Sequence, residues 1–456
     1  MIHKYRLNGC NFVLDICSGA VHILDNLAYD MVDFVDENMK EDIPLVIIKK
    51  FEDAYKKSEI LECYRELYEL WQEGQLFSKD DYEKFIAMRQ NVPIKALCLN
   101  IAHDCNLRCH YCFAAKGDFG CGRKLMPLKV GKSAIDFLIQ NSGNRVNLEV
   151  DFFGGEPLMN FEVVEQIVNY AKSIQQKYNK NFRFTITTNG LLLDKEKIDF
   201  INQEMSNVVL SIDGRKLTND RLRVASNGKG SYDIIIPKYE KLVSTRGDKD
   251  YYIRGTYTAY NLDFTEDILH LADRGFKNIS VEPVVSDADL EYAIKEKDLP
   301  KIFEEYEKLS RILLERLNSD REFNFFHFSV DLNQGTCAIK RLRGCGCGNE
   351  YVAITPEGDI FPCHQFVGHE CWKMGNVMAN TFTQKIKDLF SKTHIYSKPD
   401  CKNCWAKFYC SGGCCANNWQ YEGDVLKSHR ISCELQKKRL ECAIMFQALK
   451  MDLSNV

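Results

Sequence analysis

Cys105, Cys109 and Cys112 stand in the run Cys105-Asn-Leu-Arg-Cys109-His-Tyr-Cys112, with three and then two residues between them. Three thiolates on one tight loop can ligate three irons of a [4Fe–4S] cube, as ferredoxin-type runs do. The spacing supplies no fourth cysteine, so one iron is left to bind something else. Tyr111 directly precedes the last cysteine, where an aromatic ring could cover such a cluster. A zinc knuckle or unrelated thiols are the competing explanations. Two further patterns lie toward the C-terminus. Cys345 is followed by Gly358-Asp-Ile-Phe-Pro-Cys363, and the run Cys401-x2-Cys404-x5-Cys410-x3-Cys414 is followed by Cys433. A zinc ribbon would need only four ligands, usually in Cys-x2-Cys pairs.

Cysteine is the compositional outlier of this 456-residue chain: there are 20, and 11 of them lie between Cys337 and Cys433. Hydrophobic residues at 45% and charged residues at 27% are an ordinary core-forming balance. A net charge of −4 gives no support for a nucleic-acid-binding body. The N-terminus has no apolar core of signal-peptide length, and the aliphatic run Ile43-Pro-Leu-Val-Ile-Ile48 is too short to cross a bilayer. A cytoplasmic enzyme with metal-bound cysteines therefore fits better than a secreted disulfide protein, with no membrane or nucleic-acid partner.

The elements that must position these thiols start at Lys95, where strands begin to alternate with helices, the signature of a parallel sheet. Strands are expected at 96–102, 148–153, 183–188, 208–213, 252–257 and 279–284. Helices are expected around 129–141, 162–177, 195–204, 232–244, 265–274 and 299–317. Beyond Leu317 the alternation stops and a loop-rich, cysteine-dense tail is expected. Before the sheet, 11–15 and 20–24 read as a hairpin through Cys17-Ser-Gly19, followed by helices around 27–37 and 58–73. In the second helix Ile60, Tyr64, Leu67 and Trp71 share one face, and Gly74 is the stop. Residues 1–92 thus read as a small independent unit, 93–317 as a barrel and 318–456 as the tail. Cys10, Cys17 and Cys63 lack metal spacing.

The cysteine triplet resembles the signature of the radical S-adenosylmethionine (SAM) superfamily. That resemblance implies an α/β fold, a partial (β/α)6 TIM barrel, with its chemistry on the loops after the strands. Gly154-Gly155-Glu156-Pro157 follows the second strand. Its glycines let backbone approach a ligand and its carboxylate can accept from an ammonium group. In the family this motif holds the amino group of SAM, whose amine and carboxylate chelate the open iron. Thr188 and Asn189 end the third strand, Ser211 and Asp213 the fourth; by resemblance they flank the ribose and methionine parts of SAM. Arg223 matches an arginine for the SAM carboxylate, and Glu282 lies near the adenine site of relatives. The competing reading makes each a strand-end turn residue. The resemblance implies that one electron from the reduced cluster cleaves SAM to methionine and a 5′-deoxyadenosyl radical, which takes hydrogen from an unactivated carbon inside a dry barrel.

The tail resembles the SPASM extension, which carries two auxiliary [4Fe–4S] clusters and so makes three in all. Carried over, Cys345, Cys363 and Cys414 hold the first, with Cys337 or Cys347 competing for the fourth place. Cys401, Cys404, Cys410 and Cys433 hold the second. If neither competitor binds, the first keeps an open iron for a substrate thiolate. Cys121, Cys371, Cys415 and Cys442 fall outside the patterns and are expected to be free thiols. Sulfatase-maturing relatives have an aspartate base after the Gly-x4-Cys cysteine; here that position is His364.

The hairpin and helices at the N-terminus resemble the winged-helix leader-recognition domain of peptide-modifying enzymes, to which a leader adds a strand. A structural cap on the barrel is the alternative. The order of domains, the opening Met1-Ile-His-Lys-Tyr-Arg-Leu-Asn-Gly and the stretch Arg341-Leu-Arg-Gly-Cys-Gly-Cys-Gly-Asn-Glu350 resemble the SCIFF (six cysteines in forty-five residues) maturases. This implies thioether cross-linking of the sactipeptide and ranthipeptide kind in a ribosomally made, cysteine-rich precursor peptide. The implied partners are that precursor and an electron donor such as flavodoxin or ferredoxin. A carbon–carbon cross-link, anaerobic sulfatase maturation and, least supported, a non-enzymatic electron carrier are the alternatives.

Overall fold

The computed structural model describes residues 1–87, 92–332 and 341–454. Three antiparallel strands open the chain: β1 (Ile2–Leu7), β2 (Cys10–Asp15) and β3 (Val21–Leu24), in the order β1-β2-β3. The hairpin through Cys17–Gly19 is as expected, but β1 was not anticipated. Its Lys4 and Arg6 alternate with the buried Tyr5 and Leu7 and lay their cations over the ring of Tyr29. Three helices follow: α1 (Asn26–Met31), α2 (Leu45–Phe51) and α3 (Lys57–Gln72). Asp25 caps α1 by accepting from Ala28 N at 2.8 Å. In α3, Ile60, Cys63, Tyr64 and Leu67 recur at three- and four-residue steps and are buried. Gly74, at φ +70°, turns the chain out of that helix as a left-handed residue.

The N-terminal unit is not free-standing. Alternate residues of a strand point to opposite faces. Val13 joins Leu27, Met31, Ile47, Phe51, Ile60 and Leu67 in a local core, whereas Tyr5, Phe12 and Leu14 join the main core of the molecule. His3 stacks on Trp405 at 3.8 Å and meets Glu441 at 3.0 Å, and Asp80 pairs with the buried Lys407. The sheet is therefore a docked layer, because both of its faces carry apolar side chains.

The barrel strands fall where the period places them. They are β4 (Ala96–His103), flanked by the short β5 (Lys124–Leu125), then β6 (Asn147–Gly154), β7 (Asn181–Thr188), β8 (Asn207–Ser211), β9 (Asp250–Tyr257) and β10 (Asn278–Pro283). The six long strands are parallel neighbours in the order β4-β6-β7-β8-β9-β10. Between them run α4 (Leu128–Asn141), α5 (Phe161–Gln175), α6 (Lys195–Glu204), α7 (Lys216–Leu222), α8 (Tyr232–Ser244) and α9 (Phe264–Asp273), with α10 (Leu299–Glu315) after β10. In β6, Leu148, Val150 and Phe152 are fully buried, while Asp151 and Phe153 on the opposite face are half-buried. β7 repeats this with Phe182, Phe184 and Ile186 against Thr185 and Thr187. Burying apolar side chains of this size stabilises the fold by roughly 1.5–3 kcal/mol each. The alternation leaves the lumen face polar.

The tail is more regular than expected. β11 (Asn324–Phe325) pairs with β10, and β12 (Tyr351–Ile354) pairs in parallel with β4. From β12 the sheet continues through the antiparallel β13 (Asp359–Phe361), β14 (Gly375–Asn376) and β15 (Thr381–Phe382). The chain then ends in a long helix, Arg430–Ser454, packed against α10, β1 and the 326–328 turn. Its apolar stripe was not legible because Cys442, Ala443, Ile444 and Met445 are buried in succession, on more than one face. Among the described residues no helix is long and apolar enough to cross a membrane.

Candidate active site and iron–sulfur centres

β4 delivers the loop that carries Cys105, Cys109 and Cys112, and all three thiols are partly buried. Burial pushes Cys105 up to about 12, with Glu156 and then the other two thiols adding to it. Burial also takes Cys109 up to about 11, against the nearby charge of Arg223. Coordination would replace these protons, since a metal-bound thiol is deprotonated outright. Leu107 N donates to Cys105 Sγ at 3.4 Å, and Asn189 Nδ2 lies 3.5 Å from the same sulfur and 2.7 Å from Asn106 Oδ1. The loop is held from outside by Arg108 N to Val224 O at 2.7 Å and His110 N to Leu222 O at 2.9 Å.

The two glycines of the Gly154–Pro157 motif serve this loop. A Cβ at Gly154 would stand 2.4 Å from Ala102 O, and one at Gly155 would stand 2.2 Å from Asp104 O. The sequence reading set them against a ligand; the close approach in the structure is to the backbone leading into the cysteines. Glu156 is 1% exposed. Its Oε1 accepts from Leu158 N at 3.1 Å and Thr188 Oγ1 at 2.8 Å, and Oε2 accepts from Asn189 N at 2.8 Å. Burial pushes its carboxyl up to about 7 against these hydrogen bonds. An ionised carboxylate offers about four acceptor sites, so these three contacts leave room for one ammonium hydrogen. Pro157 opens the short turn Pro157–Asn160 that seats Leu158 beneath this carboxylate.

Tyr111, Asp213 and Arg223 come together. The Tyr111 hydroxyl lies 2.6 and 2.9 Å from the two oxygens of Asp213 and accepts from Arg223 Nη1 at 2.9 Å. Thr256 N donates to Asp213 Oδ1 at 3.0 Å. Burial raises the Asp213 carboxyl while the Arg223 charge pulls it back. The tyrosine expected as a cover is thus also a tie between the cysteine loop and two barrel segments. Arg223 is 8% exposed, and its Nε is buried without a hydrogen-bond partner. An unpartnered guanidinium N–H can donate to a carboxylate. Ser211 is half-buried at the end of β8, and its carbonyl and that of Thr188 both accept from the buried Tyr239 hydroxyl, at 3.1 and 3.3 Å.

His364 and Glu282, both singled out in the sequence, stand among residues that were not: Phe113, Phe153, Arg254, Ser280, His327 and Tyr351. The His364 ring packs, tilted, at 4.8 Å from Phe153 and 5.3 Å from Phe113, and Tyr351 Oη lies 3.4 Å from its Nδ1. Burial lowers His364 to about 4, so its imidazole is neutral at pH 7. On the β9–β10 wall Arg254 pairs with Glu282 at 2.6 Å, and Ser280 Oγ meets His327 Nε2 at 3.1 Å. Burial works against the Glu282 anion, but Arg254, His327 and Arg439 together hold its carboxyl at about 2. Glu282, read from sequence as close to adenine, is engaged by Arg254. Polar side chains at alternate positions of otherwise apolar strands were the available signal.

In the tail, two groups of thiols assemble. Burial raises the thiols of Cys401, Cys410 and Cys433, and the charge of Cys404 adds to all three. Four thiolates are what one cube takes. The other group holds Cys345, Cys363 and Cys414, whose charges act on one another. Cys347 hydrogen-bonds both Cys345 and Cys415. Cys415, expected to stand apart, therefore belongs to this neighbourhood. The expectation missed it because Cys414 alone satisfies the spacing, while the helix Cys415–Glu422 turns the next thiol inward. Cys337 lies outside the described residues. Cys121 and Cys371 are exposed and Cys442 is buried in the core.

Residues 99–248 match the family model of the radical SAM superfamily, and residues 345–405 match that of the SPASM iron–sulfur cluster-binding domain. Over 138 residues the chain is 38% identical to an uncharacterized protein of Methanocaldococcus jannaschii, MJ0907, covering 30% of this chain and 45% of that one. It is 26% identical over 333 residues to a cysteine-type anaerobic sulfatase-maturating enzyme of Clostridium novyi, covering 69% and 86%. The solved structure of native anSMEcpe with bound AdoMet aligns with 80% of this chain and 100% of its own, at 20% identity and a TM-score of 0.65. The chain thus carries a radical SAM domain and, after its barrel, a SPASM iron–sulfur cluster-binding domain. These two domains imply SAM and iron–sulfur clusters as its cofactors.

Proposed function

We propose that the protein closes intramolecular thioether bridges, from cysteine sulfur to carbon, in a ribosomally made cysteine-rich precursor peptide. The observation that carries this reading is the N-terminal sheet. β3 pairs with β2 along one edge, is half-exposed, and stands beside its own helical core. An extended leader could add a strand there, with affinity from main-chain hydrogen bonds. We assign 1–92 to the leader, 93–317 to the barrel and 318–456 to the tail. The sulfatase-maturating relative aligns with 69% of this chain, so much of the chain serves something besides that shared part. His364 in place of an aspartate further separates the two sites.

When bound, SAM and the clusters would supply the one-electron chemistry that carbon–sulfur bond formation at an unactivated carbon needs. Cys105, Cys109 and Cys112 ligate the first cluster. The fourth acceptor site of Glu156 takes the SAM ammonium, and Arg223 Nε takes its carboxylate. Asn189 fixes the cysteine loop by its contact with Asn106, while Thr188 holds Glu156 in place. Ser211, Asp213 and Tyr111 shape the remaining wall. The peptide lies between the Phe113–Phe153–His364 wall and the Arg254–Glu282 wall. Cys345, Cys363 and Cys414 hold one auxiliary cluster and Cys401, Cys404, Cys410 and Cys433 the other. A cytoplasmic flavodoxin or ferredoxin is the electron donor.

Mass spectrometry of a co-expressed precursor tests this reading. A thioether removes two hydrogens per bridge and protects that cysteine from alkylation. Loss of two hydrogens with every thiol still alkylated would mean a carbon–carbon link instead, and loss of sulfur would mean formylglycine chemistry.

A further inference from the structure

Lys398 is among the largest fully buried side chains of the molecule, at 2% exposure. A lysine is almost never buried without compensation, because an unpaired ammonium in a protein interior is costly. Its Nζ donates to Gly412 O at 2.6 Å, and among the described residues no carboxylate pairs with it. A Cβ at Gly412 would stand 3.3–3.6 Å from Lys398 Cδ, Cε and Nζ, so the whole end of the side chain lies along that residue. Gly412 is the middle of the link Cys410-Ser-Gly-Gly-Cys414, whose two ends belong to different thiol groups. Ser411, Gly412 and Gly413 all take left-handed φ values, 59°, 83° and 71°, which fold the link tightly. The backbone of Lys398 is tied to the same region: its carbonyl accepts from Cys401 N at 3.0 Å.

We infer that Lys398 is a positioning residue shared by the two auxiliary clusters, compensating the negative charge of both thiolate sets and raising both reduction potentials. This rests on the assignment of two cubes to the tail. Cluster potentials follow net charge, hydrogen bonding and exposure. A single buried cation between two anionic sets acts on both, and its hydrogen bond to Gly412 O holds the link that joins them. The compensation absent from any carboxylate is then supplied by the thiolates.

The test uses the anaerobically purified full-length holoenzyme and its Lys398→Met and Lys398→Arg variants, with iron counting and redox titration followed by electron paramagnetic resonance. The two-cube assignment requires about twelve irons per chain in the parent; about eight would remove it before Lys398 is considered. With that assignment standing, Lys398→Met is expected to lower the midpoints of both auxiliary signals. The ratio of reduced to oxidised cluster at a fixed potential should fall about tenfold, equivalent to about 59 mV for a one-electron couple. The Cys105–Cys112 cluster should titrate as before, and Lys398→Arg should titrate close to the parent. Unchanged auxiliary midpoints in Lys398→Met with full iron would overturn the inference. Should Lys398→Met lose auxiliary iron, retention by Lys398→Arg supports the charge role, whereas equal loss in both variants assigns Lys398 to packing and overturns it.

Discussion

The mouth of the barrel and the tail both gather thiols, and they do so by opposite means. At the barrel mouth three cysteines come from one eight-residue loop, while what surrounds them comes from the ends of distant strands. Glu156, Asn189, Asp213 and Arg223 reach it from four segments, with Glu156 still short of one donor and Arg223 Nε unpartnered. In the tail the cysteines themselves are dispersed: Cys401 and Cys410 sit on separate short helices and Cys433 on the long terminal helix. The first site is a local ligand set inside a collected polar shell, suited to a small molecule that comes and goes. The second is a collected ligand set that staples chain segments together, suited to a permanent group. Lys398 follows the second pattern, since its compensation comes from both sides of the link between clusters.

Four changes would break or sharpen this contrast. Cys109→Ala should abolish SAM cleavage, read as 5′-deoxyadenosine released under reduction, and should remove about four of about twelve irons. Cys363→Ala should retain measurable cleavage while cross-linked peptide disappears; equal loss of both activities would erase the division between the two regions. Tyr111→Phe removes the hydroxyl between Asp213 and Arg223. Losing a hydrogen bond to charged groups costs about 1.5–3 kcal/mol, so SAM binding by equilibrium dialysis should weaken about 10- to 100-fold, with cluster content unchanged. Asp151 gives the smallest effect. Burial and then Glu149 raise its carboxyl to about 7 from an ordinary value of 3.8. The folded state holds that proton more tightly than the unfolded chain, so stability is fully present below about 3.8 and is lost as pH rises through about 7. Asp151→Asn should therefore gain on the parent between those values and keep a constant lead above, of the order of 1–2 kcal/mol in a solvated lumen, in denaturation series across pH.

The legibility of the fold tracks how local each signal is. The six long strands, β4 and β6 to β10, were placed within a few residues because Leu148, Val150 and Phe152, and their counterparts on β7, repeat with period two, whereas the two-residue β5 was not. α3 was placed by Ile60, Tyr64 and Leu67. β12 was missed because four residues, Tyr351–Ile354, give no period of their own and form a strand only by pairing with β4. The partners of Tyr111 lie 102 and 112 residues away, beyond any spacing rule.

By itself the sequence determined the three thiols of the loop, the alternation that builds the barrel and the cysteine spacings of the tail, because each is a short-range pattern of residue types. Tertiary structure alone decided that Gly154 and Gly155 serve the cysteine loop, that Cys415 lies beside Cys347, that the N-terminal sheet docks on the tail, and that Lys398 is buried against Gly412. Those outcomes depend on which surfaces meet when chain segments far apart in sequence bury their apolar faces together, and a linear spacing carries no record of that.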